Sequence, residues 1–222
     1  MKTLQQKSNN GQQRGQMITR TVPDIVVGRL PRYLQALEHM HREGIKTTSS
    51  QELGEAIGIS AAQIRKDLSQ FGEFGKQGTG YSVAYLVEQL QTILKLTRIW
   101  DLALVGMGDL GNALVRYQGF AEHGFRITAA FDNDPDKIGK EIAGLVIQDS
   151  RQMKQIIPQL GIRIAMLTVP ASVAQTVAEE LVDAGVRAIL NYAPISLNLP
   201  EDIHVENIDP IIKLQHMTYY LD

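Results

Sequence analysis

The chain has 222 residues, enough for two modest domains or one large one, and its 44% hydrophobic and 21% charged residues are typical of a soluble globular protein. It has no cysteine, which excludes disulfides, cysteine nucleophiles and thiolate metal sites, and we expect no metal. No apolar run reaches the roughly 18 residues of a membrane span, and the polar first residues lack the apolar stretch of a signal peptide, so a cytoplasmic location is expected.

Charge is unevenly distributed along the chain. The net charge is −2, but residues 1–82 hold 11 basic and 7 acidic side chains, whereas residues 83–222 hold 11 basic and 17 acidic ones. A basic N-terminal part joined to an acidic C-terminal part favours a nucleic-acid-binding module attached to a second module. Chance asymmetry is the alternative.

The first 82 residues predict a polar arm followed by a winged helix-turn-helix. Residues 1–21, rich in Gln, Asn and Gly, predict a flexible arm. A helix with Pro31 in its first turn is predicted to end at Gly44. Ser49 and Glu52 form a capping-box pattern for a helix that starts at Ser50, buries Leu53, Ala56 and Ile57, and stops at Gly58. Ser60 is the predicted cap of a second helix, which buries Ile64, Leu68 and Phe71.

Two short helices joined by a tight turn that contains Gly are typical of DNA-binding proteins. Small residues at the start of the second helix permit close approach to DNA, while Gln63 and Arg65 can reach base edges and Lys66 can contact phosphate. The predicted DNA-binding residues on this helix are Ser60, Ala61, Ala62, Gln63, Arg65, Lys66 and Ser69. A solvated helix face is the alternative. The glycine-rich stretch that follows predicts a hairpin between two short strands, with Lys76 and Gln77 at the tip of a DNA-binding wing.

A dinucleotide-binding pattern occupies the second half of the chain. The predicted strand from Trp100 to Val105 leads into a GxGxxG loop and then a helix, the context that this motif requires. Asp132 ends the next predicted strand, 21 residues after Gly111, where a carboxylate binds the adenosine ribose hydroxyls and repels a 2′-phosphate. A role for Asp132 in capping the following turn is the alternative. We predict that NAD(H) contacts the loop residues Gly106, Met107, Gly108, Asp109, Leu110 and Gly111.

Strands and helices then alternate, which predicts a doubly wound, mostly parallel sheet. Thr168, Val169, Pro170, Asn191 and Tyr192 follow later strands and are candidates for contacts with the nicotinamide. No histidine follows a strand in the manner of a catalytic base, and too few residues remain for a substrate domain. A dehydrogenase is therefore the less favoured interpretation, and a regulator that senses CoA or another nucleotide is a second alternative.

The residues after Asp209 predict a last amphipathic helix, whose apolar stripe would mediate dimerisation or dock on its own subunit. The predicted organisation is therefore an α/β chain: a flexible arm (1–21), a winged helix DNA-binding domain (22–82), a connecting helix (83–98), a Rossmann NAD(H)-binding domain (99–209) and a C-terminal dimerisation helix (210–222).

From about Val22 onward the chain resembles the redox-sensing transcriptional repressor Rex family. The matching stretches, in order, are RLPRYL, TSSQELGEAIGISAAQIRKDLSQFGEFGKQGTGY, LVGMGDLG, AAFDNDPDKIG, LTVPA, ILNYAP and LQHMTYYL. The resemblance implies a homodimer on an inverted-repeat operator, a C-terminal helix swapped between subunits, and repression relieved when NADH rises relative to NAD⁺. It also implies that Tyr117 lies near the nicotinamide and Asp209 at the subunit interface. Pro210, which follows that aspartate, is a departure from the family, so any aromatic contact with nicotinamide from this position is absent.

Overall fold

A computed structural model describes residues 22–74 and 80–221. The chain divides into two compact units, Met1–Leu94 and Lys95–Asp222. The boundary between them falls inside the segment 83–98 that was predicted as a connecting helix. The predicted arm (1–21) and the predicted wing-tip residues Lys76 and Gln77 lie outside the described residues.

The first unit is mainly helical. Its helices are α1 (Asp24–Val27), α2 (Leu30–Arg42), α3 (Ser50–Ile57), α4 (Ala61–Leu68) and α5 (Val83–Ile93), and its two short strands are β1 (Thr47–Thr48) and β2 (Tyr81–Ser82). The helix α5, predicted as a connection, packs on α2 within this unit and buries Val83, Leu86 and Leu90.

Local hydrogen bonds set the ends of α3 and α4, the two helices of the helix-turn-helix, as the sequence predicted. The Ser49 hydroxyl accepts from the Glu52 amide and the Glu52 carboxylate accepts from the Ser49 amide, which completes the capping box of α3. Gly58 ends α3 with a left-handed φ of 69°, a conformation that costs glycine little. The Ser60 hydroxyl caps α4 by accepting from the Gln63 amide. These predictions are confirmed.

Two packing predictions for this unit were wrong. Ala56 is exposed, whereas Gly54 is buried; a Cβ at position 54 would lie 2.3 Å from the Ile59 carbonyl oxygen, so this close approach requires glycine. Phe71 is only partly buried. The strand β2 pairs antiparallel with β1, with Thr47 opposite Ser82. The predicted hairpin includes residues 75–79, which lie outside the described residues, and it stays a prediction.

The second unit contains a seven-stranded sheet. Its strands are β3 (Trp100–Val105), β4 (Phe125–Asp132), β5 (Glu141–Ile142), β6 (Leu145–Asp149), β7 (Ile164–Leu167), β8 (Ala188–Asn191) and β9 (His204–Asn207), in the order β5-β6-β4-β3-β7-β8-β9. Only the β5–β6 pair is antiparallel. Without β5, this is the doubly wound 3-2-1-4-5-6 strand order. Successive strands are added on one side of β3 and then, from β7 onward, on the other, so the strand order reverses between β3 and β7. The predicted fold class is confirmed.

Helices lie on both faces of this sheet, because successive strand residues point to opposite faces. Ala103 and Val105 belong to a core completed by α8 (Met153–Gln159) and α9 (Ala171–Asp183). Leu102 and Leu104 face the side that carries α6 (Asp109–Arg116) and α7 (Gly119–Glu122). A 3₁₀ turn, Ser150–Gln152, leads directly into α8.

The last helix, α10 (Pro210–Thr218), contains no buried residue. Its apolar side chains are more than half exposed: Ile211 58%, Ile212 60%, Leu214 56% and Met217 59%. Within residues 22–74 and 80–221, no helix is long and apolar enough to cross a membrane.

Candidate nucleotide cleft and nucleic-acid interface

The glycine loop between β3 and α6 requires glycine at two positions for steric reasons. Gly106 has a φ of 99°, and a side chain there would lie 2.7 Å from the Thr168 carbonyl oxygen. A side chain at Gly111 would lie 2.1 Å from the Gly106 carbonyl oxygen, so this glycine permits α6 to pack against the loop. Gly108, the residue before α6, faces open space. The loop therefore leaves room for a ligand at Gly108, next to the amides that begin α6.

Thr168 ties this loop to the neighbouring strand. Its hydroxyl lies 2.7 Å from the Gly106 carbonyl oxygen and 3.0 Å from that of Val105, and it donates to them. The hydroxyl proton is therefore used within the protein. The sequence motif placed Thr168 at a strand end but did not reveal this supporting role.

The Asp132 carboxylate is buried, with 6% of its surface exposed, and is held by three donors. Oδ2 accepts from the Met107 amide at 2.7 Å and from Lys137 Nζ at 3.2 Å, and Oδ1 accepts from the Asp134 amide at 2.9 Å. Burial opposes ionisation, but these hydrogen bonds outweigh it and lower the pKa of Asp132. Asp132 therefore caps the turn and supports the glycine loop as an ionised group. A carboxylate has about four acceptor positions, so acceptor capacity is left for a ligand.

Lys137 is a residue that the sequence motif did not identify. Its ammonium group pairs with Asp132 and lies 3.6 Å from Asp134 Oδ2. Burial works against the charge, yet the hydrogen bond to Asp132 raises the pKa of Lys137. This cation moderates the negative potential at the end of β4. In the sequence it belongs to the stretch AAFDNDPDKIG, one of those that match the family.

A cleft of about 740 Å³ opens at the reversal point between β3 and β7. We call it the switch-point cleft. Six predicted nucleotide-binding residues line it: Gly106, Gly108, Asp132, Thr168, Val169 and Pro170. Its wall also includes Lys137, Asn133, Asp134 and Glu180. Ligands of doubly wound sheets bind at this point of the fold.

The other predicted loop residues have different surroundings. The Met107 side chain lies in the core at 1% exposure, and its amide is bound to Asp132. Gly111 is buried by packing, while Asp109 and Leu110 are exposed on the first turn of α6. In these positions the first turn of α6 can offer backbone amides to a phosphate, whereas the Met107 side chain cannot reach one.

The Asn191 side chain is engaged within the protein and is not free to contact a nicotinamide. It is fully buried, its Nδ2 lies within hydrogen-bond distance of Ala193 O, Ile195 O and Asn207 Oδ1, and its Oδ1 accepts from the Ala193 amide. Its polar atoms therefore hold the loop after β8. Tyr192 is partly buried, which raises its pKa, and it is not among the residues that line the cleft.

Tyr117 lies in a different depression from the one predicted. It is 62% exposed, packs edge-on against Phe120, and lines an apolar groove of about 430 Å³ on the α7 side of the sheet. This sheet groove also contains Leu102, Ile164, Met166 and Leu190. Within one chain, the structure does not bring Tyr117 to the switch-point cleft.

In the first unit, α4 presents the predicted DNA-binding residues. Ser60, Ala62, Arg65, Lys66 and Ser69 are exposed, and Ala61 and Gln63 are partly buried. Among the described residues, Arg65 and Lys66 make no ion pair, so their charges are available to phosphate or base oxygens. The Ser69 hydroxyl donates to the Lys66 carbonyl oxygen at 2.8 Å.

A buried carboxylate lies on the inner side of α4, where periodicity predicted only apolar residues. Asp67 is 1% exposed and accepts from Arg29 (Nε at 2.6 Å, Nη2 at 2.8 Å), from the Tyr33 hydroxyl at 2.5 Å and from Gln63 Nε2 at 2.7 Å. We call these four residues the Asp67 network. Burial and the bond to Asp67 raise the pKa of Tyr33 to about 12. The network joins the start of α2 to α4.

The described residues contain no cluster of three or more His, Cys, Asp or Glu side chains that could hold a metal. The second unit has a glycine loop with open space at Gly108 beside the buried Asp132 carboxylate, and the first unit has an exposed basic face on α4.

Comparison with known proteins gives the same division of the chain. Residues 21–69 match the model described as "Putative DNA-binding protein N-terminus", and residues 97–195 match "CoA binding domain". A redox-sensing transcriptional repressor Rex from Chloroflexus aurantiacus is 54% identical over 199 residues, covering 90% of this chain and 94% of the relative.

Solved structures agree with the curated relatives. The structure of a protein called RSP with β-NAD⁺ and operator DNA has a TM-score of 0.86 and 38% identity, covering 90% of this chain and 93% of that one. RSP with β-NADH has a TM-score of 0.82 and 36% identity, covering 90% and 94%. These relatives are repressors, so the dehydrogenase interpretation is set aside. The chain belongs to the family of redox-sensing transcriptional repressors called Rex.

Proposed function

We propose that this chain represses transcription by binding operator DNA through α4, and leaves the operator when NADH occupies the switch-point cleft. The observation that carries the proposal is the pairing, in one chain of this family, of a capped helix-turn-helix with a GxGxxG loop held by Asp132. Its relative RSP has been solved with operator DNA and with both redox forms of the nucleotide. We place the protein in the cytoplasm, with the DNA that it regulates.

On the nucleotide side, we assign the pyrophosphate to Gly106, Gly108 and the amides of Asp109 and Leu110. Asp132 takes the adenosine ribose hydroxyls, and its charge disfavours a ribose phosphate. Val169 and Pro170 line the remaining part of the cleft, where the nicotinamide would lie. Met107, Gly111 and Thr168 act indirectly, by shaping the loop.

On the DNA side, Gln63 and Arg65 are the proposed base readers, and Lys66 is the proposed phosphate contact. The small residues Ser60, Ala61 and Ala62 allow the start of α4 to approach the groove. Ser69, Lys76 and Gln77 complete the proposed interface.

We propose a homodimer, since an inverted-repeat operator requires two heads related by a twofold axis. The exposed apolar stripe of α10 and the sheet groove are two unpartnered apolar surfaces on one chain, and a second subunit would cover them. Asp209 caps α10 by accepting from the Ile211 amide at 2.9 Å. A contact of Tyr117 with nicotinamide stays a prediction.

NADH can release the repressor only by binding the released arrangement of the dimer more tightly than the DNA-bound one. Moving the dimer from about 1% to 99% released needs a preference of roughly 10⁴-fold, or about 5.5 kcal/mol. NAD⁺ and NADH share the adenosine and pyrophosphate, so the residues around the nicotinamide must provide the discrimination.

The test is fluorescence anisotropy of a labelled inverted-repeat DNA with the full chain, titrated with NADH, NAD⁺ and CoA. Release by NADH at concentrations where NAD⁺ has little effect is the expected result. Release by CoA instead would favour the CoA sensor that the family description raises, although the 3′-phosphate of CoA would meet the acidic Asp132. Tight binding that no nucleotide changes would contradict redox sensing.

A further inference from the structure

The Asp67 network has a consequence for DNA recognition that rests on the proposed function of α4. Gln63 lies in the first turn of α4, and the leading residues of a recognition helix are those that reach base edges. Its side chain is not free, because Nε2 lies 2.7 Å from Asp67 Oδ1, one helical turn further along α4. The orientation of this amide therefore depends on Asp67.

The chemistry of Asp67 allows only one orientation. An ionised carboxylate accepts hydrogen bonds and donates none. Asp67 is held ionised by the paired Arg29 guanidinium and by the Tyr33 hydroxyl, and its pKa is lowered even though burial opposes this. The NH₂ group of Gln63 must therefore face Asp67, and its carbonyl oxygen must point elsewhere.

What remains of the Gln63 amide is one acceptor, Oε1, and one N–H. This acceptor–donor pair matches the N6 amine and N7 of adenine in the major groove. It does not match guanine, which presents two acceptors, O6 and N7, at the corresponding positions. A free glutamine could rotate its amide by 180° to change what it offers, whereas a glutamine held by Asp67 cannot.

We propose that Asp67 is a positioning residue that fixes the amide of Gln63, so that Gln63 selects adenine over guanine at one position of each operator half-site. Asp67 itself does not touch DNA, because it is buried on the inner side of the helix. Arg29 and Tyr33, which lie 38 and 34 residues earlier in the chain, set the direction of the carboxylate.

The test measures operator affinity by competition anisotropy across a panel of half-sites in which every base is changed in turn. Wild type should prefer adenine at one position by roughly 5- to 150-fold, the range for one bidentate base contact. Gln63→Ala should lose the preference at that position alone. Gln70→Ala, which changes an exposed glutamine after α4, is the matched control and should leave the profile unchanged.

Modified bases test the same contact without altering the fold. At the selected position, 7-deazaadenine removes N7 and unsubstituted purine removes the N6 amine. Each should weaken binding by wild type and have no effect on Gln63→Ala. Asp67→Asn, whose amide can donate as well as accept, should reduce the adenine preference while leaving the salt dependence of binding unchanged.

If Asp67→Asn does not fold, NMR of the wild-type chain tests the positioning directly. The Gln63 side-chain amide protons should exchange with solvent more slowly than those of Gln70, and equal exchange would overturn the role of Asp67. A preference for guanine, or a Gln63→Ala profile equal to that of wild type, would overturn the inference while operator binding stands. Failure of the wild type to bind any half-site would instead overturn the proposed function.

Discussion

At the scale of single residues, the switch-point cleft depends on groups that serve the protein and the ligand together. Asp132 holds the Met107 amide and the Lys137 ammonium group, and it is also the proposed ribose ligand. Thr168 uses its hydroxyl to hold the Gly106 carbonyl. Substitutions here are therefore expected to change loop geometry and ligand affinity at the same time.

We expect Asp132→Asn to weaken NADH binding by roughly 10- to 100-fold, the equivalent of losing about 1.5–3 kcal/mol of charge-assisted hydrogen bonding. Operator affinity without nucleotide should be unchanged, because Asp132 belongs to the second unit. Isothermal titration with NADH measures the first effect and anisotropy the second. Asp101→Asn, which removes a partly exposed partner of Arg126, is the control. Equal loss of both activities would contradict the assignment.

Thr168→Val tests the support of the glycine loop. It removes the hydrogen bonds to Gly106 and Val105 and keeps the side-chain shape, so we expect the free energy of unfolding to fall by about 1 kcal/mol and NADH affinity to fall with it. Denaturant unfolding measures the change in the free energy of unfolding, and titration of the native protein with NADH measures the change in affinity. Thr128→Val is the matched control, since within the described part of the chain the buried Thr128 hydroxyl has no hydrogen-bond partner. A Thr128→Val loss as large as that of Thr168→Val would argue against a specific role for Thr168.

At the scale of elements, α4 is tied to Arg29 and to α2 by hydrogen bonds and an ion pair. The buried Asp67 of α4 accepts from Arg29, the residue before α2, and from Tyr33 of α2, and Ile64 and Leu68 of α4 are buried as well. These polar contacts are directional, so they set the orientation of α4 in addition to its burial. In contrast, α10 makes no such attachment and exposes its apolar stripe.

The Asp67 network predicts an acid-labile first unit. The pKa of folded Asp67 lies below that of an unfolded aspartate, about 3.9, so its stabilisation is present above that pH and is lost as the pH falls through the folded pKa. We expect little change between pH 7 and 5 and a steep loss below about 4. Asp67→Asn should make this loss shallower, whereas Asp24→Asn, at an exposed position, should not. Chemical denaturation at a series of pH values measures the free energy of unfolding. If this free energy fell with pH equally for wild type and Asp67→Asn, the result would contradict the role of Asp67.

The exposed stripe of α10 predicts that a charge there will separate the proposed dimer. Leu214 is 56% exposed in the single chain, so Leu214→Asp should leave the fold intact while placing a charge in the interface, where its desolvation is unfavourable. Light scattering should report a monomer, and anisotropy should show that its operator affinity is weak. Gln215→Ala on the same helix should remain dimeric. A dimeric Leu214→Asp protein would show that α10 is not the interface.

At the scale of the whole molecule, the basic part of the chain (1–82) lies in the first compact unit and most of the acidic part (83–222) forms the second, and the two units are proposed to bind different ligands. The coupling between them must be a difference in NADH affinity between two arrangements of the dimer. By linkage, operator DNA should weaken NADH binding by the same factor as NADH weakens operator binding.

This division predicts substitutions that affect one activity alone. Lys66→Ala should weaken binding to all operator sequences and reduce the slope of log affinity against log salt by about 1, as expected for one phosphate contact. Arg65→Ala should mainly relax the sequence preference, and neither should change NADH affinity. Anisotropy at several salt concentrations separates the two effects, with Lys154→Ala in the second unit as the control. An unchanged slope for Lys66→Ala would place the DNA contacts on another element.

Local sequence was sufficient for features that depend on near neighbours. The caps at Ser49 and Ser60, the left-handed Gly58 and the glycine loop are all confirmed, because each requires particular residue types within a few positions of one another. Alternation of strands and helices was likewise enough to predict the parallel sheet, and the spacing from the glycine loop was enough to place Asp132 at the carboxyl end of β4.

The tertiary structure decided where polar groups could be buried. Periodicity placed only apolar side chains on the inner face of α4, yet Asp67 is buried there because Arg29 and Tyr33, distant in sequence, satisfy its oxygens. Asn191 was predicted to face a ligand, but the loop after β8 and Asn207 of the neighbouring strand use its polar atoms. The pairing of β2 with Thr47 and Thr48, more than thirty residues earlier, was likewise not predicted from the sequence. Sequence patterns report the periodicity and caps of one segment, whereas the partner of a buried polar atom or of a strand edge comes from segments that only the folded chain brings together.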